Sequence, residues 1–105
     1  VRDYLVLCHG WVPPEQHKIV APIYWKQDSA PSVVQERGGK PSETHLKVLA
    51  HLQRASERLS LVGVRIVTGR RHQIRVHLKH IGHPTVCDGK YTCPETFLSD
   101  SSWCP

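Results

Sequence analysis

A run of eight residues at a change of secondary structure constrains this chain more than any other feature. From Thr68 to Arg75 the sequence reads Thr-Gly-Arg-Arg-His-Gln-Ile-Arg. Residues 59–67 before it have the composition of a β-strand, and residues 71–81 have the periodicity of an amphipathic helix. Thr68 is a suitable N-cap for that helix. The chain must therefore fold with three arginines and a histidine gathered at one strand-to-helix junction.

The predicted helix has one apolar face. Ile74, Leu78 and Ile81 recur at helical spacing, and Gly82 followed by Pro84 is a signal for the end of the helix. A helix of this kind buries its apolar face against another element. We therefore expect one principal helix packed on a β-sheet.

The rest of the chain is rich in strand signals. Alternating or β-rich segments occur at residues 2–12, 18–25, 44–52 and 59–67. The last two are typical of a hairpin around a turn at 53–58, and residues 26–42 are mainly loop. The expected fold class is α+β: a mainly antiparallel mixed sheet with one principal helix packed on it.

The distribution of charge indicates an anionic partner. The formal net charge is +5, and the segment from Arg58 to Cys87 holds five arginines and Lys79 but no Asp or Glu. Clustered cations that neutralise several phosphates together release counterions, which favours nucleic acid. No apolar run approaches the roughly 18 residues of a membrane-spanning helix. The sequence therefore predicts no membrane partner.

The junction and two upstream motifs resemble one family. The sequence from Thr68 to Pro84 resembles the C-terminal signature of RNA pseudouridine synthases of the RluA type. Upstream and in the same order, residues 2–10 are similar to the family's Lys-x-Tyr strand. Residues 39–44 are similar to its Gly-Lys-x-Ala-x-Thr turn into a long strand. The resemblance extends over residues 2–91, which is most of the chain.

The resemblance implies an enzyme that isomerises uridine in RNA to pseudouridine, without a cofactor or a metal. In that family an aspartate supplies the catalytic carboxylate and acts on a nucleotide flipped out of its stack. Tyr4 corresponds to the active-site tyrosine that stacks on the base and helps to move the C5 proton. Arg75 corresponds to the arginine that pairs with the catalytic carboxylate and holds it oriented. Tyr4 and Arg75 are therefore the predicted catalytic residues.

Five further residues are candidates for contact with RNA: Lys40, Arg70, Arg71, His72 and Gln73. Arg70 and Arg71 lie beside the helix N-terminus, where an external anion would offset an unfavourable placement of cations. His72 and Gln73 could read a nucleotide, although hydrogen bonds that hold the junction together are the favoured role. The expected partner is ribosomal or transfer RNA inside the cell.

The carboxylates depart from the family pattern. The family's His-Arg-Leu-Asp segment, which precedes the Lys-x-Tyr strand, has no counterpart here, and the aspartates are Asp3, Asp28, Asp88 and Asp100. Asp3 should face away from Tyr4 because neighbours in a strand alternate. Asp88 is expected to make local hydrogen bonds in a turn.

These departures predict a partial catalytic domain over residues 1–105, truncated at both ends, with 92–105 as an irregular tail. Such a fragment should not be active alone. The alternative is a catalytically inactive RNA-binding domain of the same fold. A helix-turn-helix DNA-binding protein is disfavoured because only one convincing helix is present.

A metal-stabilised structural domain is a third class to consider. The candidate ligands are His72, His77, His80 and His83. Gly82 and Pro84 break the helix among them, and no carboxylate or Cys-x-x-Cys pair completes a tetrahedral set. We therefore expect no metal site.

The cysteines also give no indication of a metal site. Their positions are Cys8, Cys87, Cys93 and Cys104. These spacings do not match common zinc modules, and we expect reduced thiols rather than a disulfide framework.

Overall fold

A computed structural model describes residues 2–104 of the chain. Val1 and Pro105, which belong to the expected partial domain, lie outside the described residues. The elements are β1 (Arg2–His9), β2 (Lys18–Val20), β3 (Ile23–Tyr24), β4 (Val33–Val34), β5 (Glu43–Arg54), β6 (Glu57–Ile66), α1 (Gln73–His80) and α2 (Pro94–Trp103). Neither helix has the length and apolar character needed to cross a membrane.

The main sheet has the strand order β1-β6-β5-β2, and β3 pairs with β4 in a separate two-stranded sheet. Every pairing between the described strands is antiparallel. The α+β class is therefore confirmed, whereas the expected mixed character of the sheet is wrong for residues 2–104. The predicted hairpin is also confirmed, because β5 and β6 pair along almost their whole lengths.

One face of the main sheet forms the core. Alternate residues of β6, namely Val62, Val64 and Ile66, are buried and pack with Leu46 of β5 and Leu78 of α1. Every second residue of the strand and every third or fourth residue of the helix is buried, and these two apolar faces pack against each other, as the sequence patterns predict.

Several strand boundaries differ from the expected ones. The segment 18–25 divides into β2 and β3 around Ala21 and Pro22, because proline cannot donate to a sheet ladder. The loop expected over 26–42 contains the short strand β4. The hairpin turn is shorter than 53–58, since only two residues separate the strands and Ala55 takes a φ of 53°.

The principal helix begins at Gln73, and its N-cap is His72 in the left-handed region, with φ 56° and ψ 28°. The prediction that Thr68 caps the helix is therefore wrong. The Thr68 hydroxyl donates instead to Gln73 Oε1 at 2.9 Å, and the same oxygen accepts the backbone N–H of Arg70 at 3.1 Å. The side chain of Gln73 thus organises the turn that precedes its own helix.

The expected irregular tail over 92–105 is wrong, because Pro94–Trp103 form the second helix, α2. Cys93 is extended at the N-cap, proline occupies the start of the helix, and Glu95 lies in the first turn. Proline and an acidic residue are both favourable at those positions. The helix lacks a strong apolar stripe, which is why periodicity missed it.

A buried carboxylate anchors this second helix. Asp100 has no exposed surface. Its Oδ2 lies 2.8 Å from His9 Nε2 and accepts the backbone N–H of Cys87 at 2.9 Å. The C-terminal helix is therefore held to β1 and to the segment that follows α1.

A buried chain of polar side chains connects α1 to the sheet. Gln73 Nε2 donates to Thr44 Oγ1 at 3.0 Å and to the backbone oxygen of Glu43 at 3.0 Å. Thr44 Oγ1 lies 2.7 Å from His77 Nδ1, and His77 Nε2 lies 2.9 Å from the backbone oxygen of Ala21. Since a carbonyl can only accept, His77 is protonated at Nε2 and accepts from Thr44 at Nδ1.

The burial of His77 should make the stability of the protein depend on pH. Burial lowers the pKa of His77 from its ordinary 6.5; the hydrogen bond to Ala21 opposes this shift and His80 adds to it. The unfolded chain therefore takes up the proton first as the pH falls. We expect the melting temperature to be highest above pH 6.5 and to fall as the pH drops below it, as measured by circular dichroism.

A variant and a control isolate this contribution. His77→Phe should cost roughly 1–3 kcal/mol for each buried group left unpaired, and the fall in stability below pH 6.5 should become shallower. His17→Gln, at an exposed histidine in the loop before β2, should behave like the parent protein. A parent melting temperature that stays constant from pH 8 to pH 5 would contradict the prediction.

Candidate active site

A cavity of about 380 Å³ lies between β1 and the start of α1. It brings together the two predicted catalytic residues, Tyr4 of β1 and Arg75 of α1. The other lining residues are Arg2, Leu5, Val6, Ile66, Gly69, Arg70, His72, Gln73, Ile74 and Thr85. The described lining is therefore cationic and apolar, and it includes no carboxylate.

A larger hollow of about 540 Å³ covers the opposite face of the sheet. Its floor is mainly apolar, and its charged groups include the pair between Asp3 and Arg65. Both members of that pair are more than half exposed and satisfy each other. None of the junction residues 68–75 lines this hollow, whereas several of them line the smaller cavity, which is therefore the better candidate for chemistry.

Tyr4 is accessible from solvent, with 40 % of its surface exposed. Its neighbour Asp3 is turned to the other side of the strand, where it accepts hydrogen bonds from Arg65 at 2.7 and 3.0 Å. The expectation that the two side chains face apart agrees with this arrangement. Asp3 lines the hollow on the opposite face of the sheet, which Tyr4 also borders, and it does not line the cavity that Tyr4 shares with Arg75.

Arg75 is held by a buried carboxylate, Asp88. Its Nε donates to Asp88 Oδ2 at 2.7 Å, and its Nη2 donates to Oδ1 at 2.6 Å. The Asp88 side chain is 3 % exposed and that of Arg75 is 36 % exposed. Such a two-pronged pair fixes the plane of the guanidinium.

The ionisation of Asp88 depends on this pairing. Burial by itself raises the pKa of the Asp88 carboxyl, but the hydrogen bonds from Arg75 and from the backbone N–H groups of Lys90 and Tyr91 outweigh it. The pKa of Asp88 is therefore below its ordinary value, and that of Arg75 is raised, chiefly by the same hydrogen bonds. The pair is fully charged at neutral pH.

Tyr91 contacts both Arg75 and His72. The guanidinium carbon of Arg75 lies 5.0 Å from the centre of the Tyr91 ring. The Tyr91 hydroxyl is 2.9 Å from His72 Nδ1 and accepts the backbone N–H of Ser32 at 2.8 Å. Tyr91 is only 2 % exposed, so it braces the wall of the cavity from behind.

Gln73 is buried at 2 % exposure, and all four of its side-chain hydrogen bonds are internal. This geometry supports the role at the junction that was favoured from the sequence. It offers no free amide group for a contact with RNA.

Arg70, Arg71 and Lys40 lie at the exposed rim of the junction. Arg70 donates to the backbone oxygen of Pro41 at 2.8 and 3.2 Å, and Arg71 to that of Lys26 at 2.9 Å. The ammonium group of Lys40 stands 5.3 Å from the centre of the Trp25 ring. None of these contacts neutralises the charge, so the rim stays positive.

The four histidines considered as metal ligands do not converge. The ring of His77 is bound to Thr44 and Ala21, and His72 faces Tyr91. His83 Nδ1 lies 2.8 Å from the backbone oxygen of His9. Within residues 2–104 no group of three or more potential ligands is close enough to hold a metal ion.

Asp88 and Tyr91 are the site residues that the sequence did not reveal. A turn aspartate was expected there, and Asp88 Oδ1 does accept the N–H groups of Lys90 and Tyr91 at 3.1 and 3.3 Å. Its pairing with Arg75, 13 residues away, has no local signature. The sole signal was an aspartate followed by an aromatic residue after the helix.

Comparisons with known proteins show which family the chain resembles. The family model for RNA pseudouridylate synthase matches residues 1–80. Ribosomal large subunit pseudouridine synthase C of Yersinia pestis is 40 % identical over 92 residues, which cover 86 % of this chain and 28 % of that protein. The uncharacterized RNA pseudouridine synthase YlyB of Bacillus subtilis is 39 % identical over 90 residues, again 86 % of this chain and 28 % of the relative.

A solved structure shows the same fold. Human RNA pseudouridylate synthase domain containing 1 superposes with a TM-score of 0.77 at 32 % identity, over 98 % of this chain and 43 % of that one. The chain therefore belongs to the RNA pseudouridylate synthase family. Its relatives include ribosomal large subunit synthases, so the RluA-type resemblance is confirmed. The chain spans little more than a quarter of the length of the Yersinia pestis and Bacillus subtilis relatives.

Two aspartates with similar partners but different burial allow a direct test of the site. Asp88→Ala leaves Arg75 without its partner, and because Arg75 is partly exposed we expect a loss of about 2–3 kcal/mol, less than for a fully buried pair. Asp3→Ala removes the same two-pronged pairing at an exposed position and should not change stability measurably. Urea unfolding of both variants would measure this difference, and equal losses would contradict it.

Proposed function

We propose that this chain binds RNA and forms part of the site at which an RNA pseudouridine synthase isomerises uridine. The observation that carries the proposal is the shared cavity of Tyr4 and Arg75, two residues far apart in sequence. Its volume of about 380 Å³ falls in the range of small-molecule sites, which suits a single flipped nucleotide. Residues 1–105 would then be a partial catalytic domain of a larger site.

The proposed reaction needs no external reagent. The bond between N1 of the uracil and C1′ of the ribose breaks, a bond between C5 and C1′ forms, and C5 loses the proton that N1 gains. The product has the same atoms as the substrate, so the protein has only to hold, orient and move a proton. Tyr4 is exposed at the cavity and could stack on the base with its ring and pass a proton through its hydroxyl.

Arg75 would orient the catalytic carboxylate. Asp88 occupies its Nε and Nη2, which leaves the Nη1 group without a partner among residues 2–104. A second carboxylate could bind there and would remain ionised beside the guanidinium. Since the described lining includes no Asp or Glu, we infer that sequence beyond these 105 residues supplies it.

The rim of Lys40, Arg70 and Arg71 would hold the RNA backbone. Phosphate contacts position a nucleic acid without reading its sequence. The proposed substrate is ribosomal or transfer RNA, and the proposed location is therefore inside the cell. The Yersinia pestis relative carries ribosomal large subunit in its name, which favours the ribosomal choice.

An RNA-binding domain without activity is the alternative. Arg75 is already neutralised by Asp88, and the cavity has cations but no described carboxylate. Such a domain would bind RNA through the same rim and form no product.

A hybrid protein separates the two functions. We would replace the matching 92-residue segment of the Yersinia pestis synthase with the corresponding part of this chain. An active hybrid, measured as pseudouridine formed in large-subunit RNA, would show that this segment supplies a working half of the site. A folded hybrid that binds RNA and forms no product would favour the inactive binding domain.

Arg75→Lys in an active hybrid should lower kcat by about 100-fold, because an ammonium cannot replace a planar fork that orients its partners. Arg65→Lys is the matched control, since Arg65 makes a similar pair with Asp3 on the far face of the sheet. The control should keep normal turnover. Normal turnover of Arg75→Lys would remove Arg75 from the mechanism.

The salt dependence of RNA binding tests the rim. Three phosphate contacts to single-stranded RNA predict a slope of roughly −2 in a plot of log K against log salt concentration, at about 0.7 per contact. Arg71→Ala should reduce the slope by roughly one contact. Lys47→Ala, on the opposite face of the sheet, should leave it unchanged, and a flat plot for the parent chain would refute the phosphate contacts.

A further inference from the structure

The hydroxyl of Tyr91 is not needed for packing. The ring belongs to a small core with Ile23 and Val76, and phenylalanine would fill the same volume. The hydroxyl nevertheless lies inside the protein, between the backbone N–H of Ser32 and the Nδ1 of His72. Its role therefore has to be sought in the hydrogen bonds that it makes.

Only one arrangement of protons gives every donor and acceptor around this hydroxyl a hydrogen-bond partner. Ser32 N–H can only donate, so the Tyr91 oxygen accepts from it. The phenol proton needs an acceptor, and His72 Nδ1 at 2.9 Å is the one found among the described residues. His72 Nδ1 is consequently unprotonated, and the proton of the neutral ring resides on Nε2.

Nε2 of His72 is directed away from Tyr91. His72 lines the cavity with Tyr4 and Arg75, and no partner for Nε2 is found within residues 2–104. The same Tyr91 ring lies 5.0 Å from the guanidinium carbon of Arg75 and meets the His72 ring edge-on at 88°. One buried side chain thus supports two neighbouring donors on the cavity wall.

We propose that Tyr91 is a positioning residue that sets His72 as a neutral donor, so that His72 Nε2–H binds an acceptor oxygen of the RNA beside the Arg75 guanidinium. The proposal rests on the proposed function and adds to it the chemistry of this wall. Its acceptor is a carbonyl oxygen of the uracil or an oxygen of the phosphate, since both accept from a neutral N–H.

The charges around His72 also favour the neutral form of its ring. Burial lowers the pKa of His72 first, followed by the positive charges of Arg75, Arg71 and Lys90, and Asp88 opposes them weakly. Protonation would also force His72 Nδ1–H against the Tyr91 hydroxyl and leave the phenol proton without an acceptor. His72 therefore remains a neutral donor at physiological pH.

The first test needs no variant. Nitrogen-15 NMR of the histidine rings in this chain should show His72 unprotonated at Nδ1 and protonated at Nε2 at pH 7. Exposed His80 provides an internal reference. A proton on His72 Nδ1 at pH 7 would overturn the proposal whether or not the protein is a synthase.

Tyr91→Phe then removes the hydroxyl and keeps the ring. We expect the His72 tautomer to become mixed, its pKa to rise, and the affinity for oligouridylate to fall about fivefold, the factor for one hydrogen bond of about 1 kcal/mol. Tyr24→Phe is the matched control, because Tyr24 lies outside the cavity, and should change none of these. A Tyr91→Phe chain with an unchanged His72 spectrum would overturn the positioning role.

Two small probes identify the acceptor. Inorganic phosphate should perturb the His72 Nε2 signal if the oxygen belongs to the backbone, and uridine should do so if it belongs to the base. No perturbation by either probe or by oligouridylate would overturn the binding role. The expected spectra together with an inactive hybrid protein would leave this assignment standing and would reject only the enzymatic function.

Discussion

A buried chain of hydrogen bonds through Gln73, Thr44 and His77 holds helix α1 in place on the sheet, and the geometry of the cavity follows from it. A buried polar group without a partner costs roughly 1–3 kcal/mol, so these side chains must be placed to satisfy one another. They do so only when helix α1 lies against β5 in one rotation and one register. The hydrophobic core drives the helix onto the sheet, and the polar chain decides how it lies there.

The geometry of the cavity wall follows from that placement. With α1 set, Arg75 projects from its first turn beside Tyr91, and Asp88 closes on the guanidinium from the segment after the helix. The wall is therefore organised before any ligand arrives, which is what electrostatic stabilisation of a reacting group requires. The Nε and Nη2 groups of Arg75 are occupied by Asp88, which holds the side chain in place, and the Nη1 group is left for a further partner.

The distribution of charge in the chain is what we would expect if the chain supplied only part of a catalytic site. Its cations gather at the junction and rim, while the described lining of the cavity has donors and no acceptor carboxylate. The relatives are three to four times longer than the segment that matches them, so the complementary half has room to come from elsewhere in such a domain. Under the proposed function this wall would bind RNA, and a carboxylate brought to Arg75 would complete the catalytic site.

The strands of the hairpin, the helix on its sheet and the basic junction could be predicted from the sequence, because apolar periodicity is a local property that indicates which side of an element is buried. It also indicated Tyr4 and Arg75 through the family resemblance, although no local pattern could place them in one cavity. The contacts of Asp88 and Tyr91 with Arg75, and the internal position of Gln73, became evident only in the folded chain. Those partners lie on different elements, and hydrogen bonds between polar side chains depend on distances in space that arise only after the core has packed.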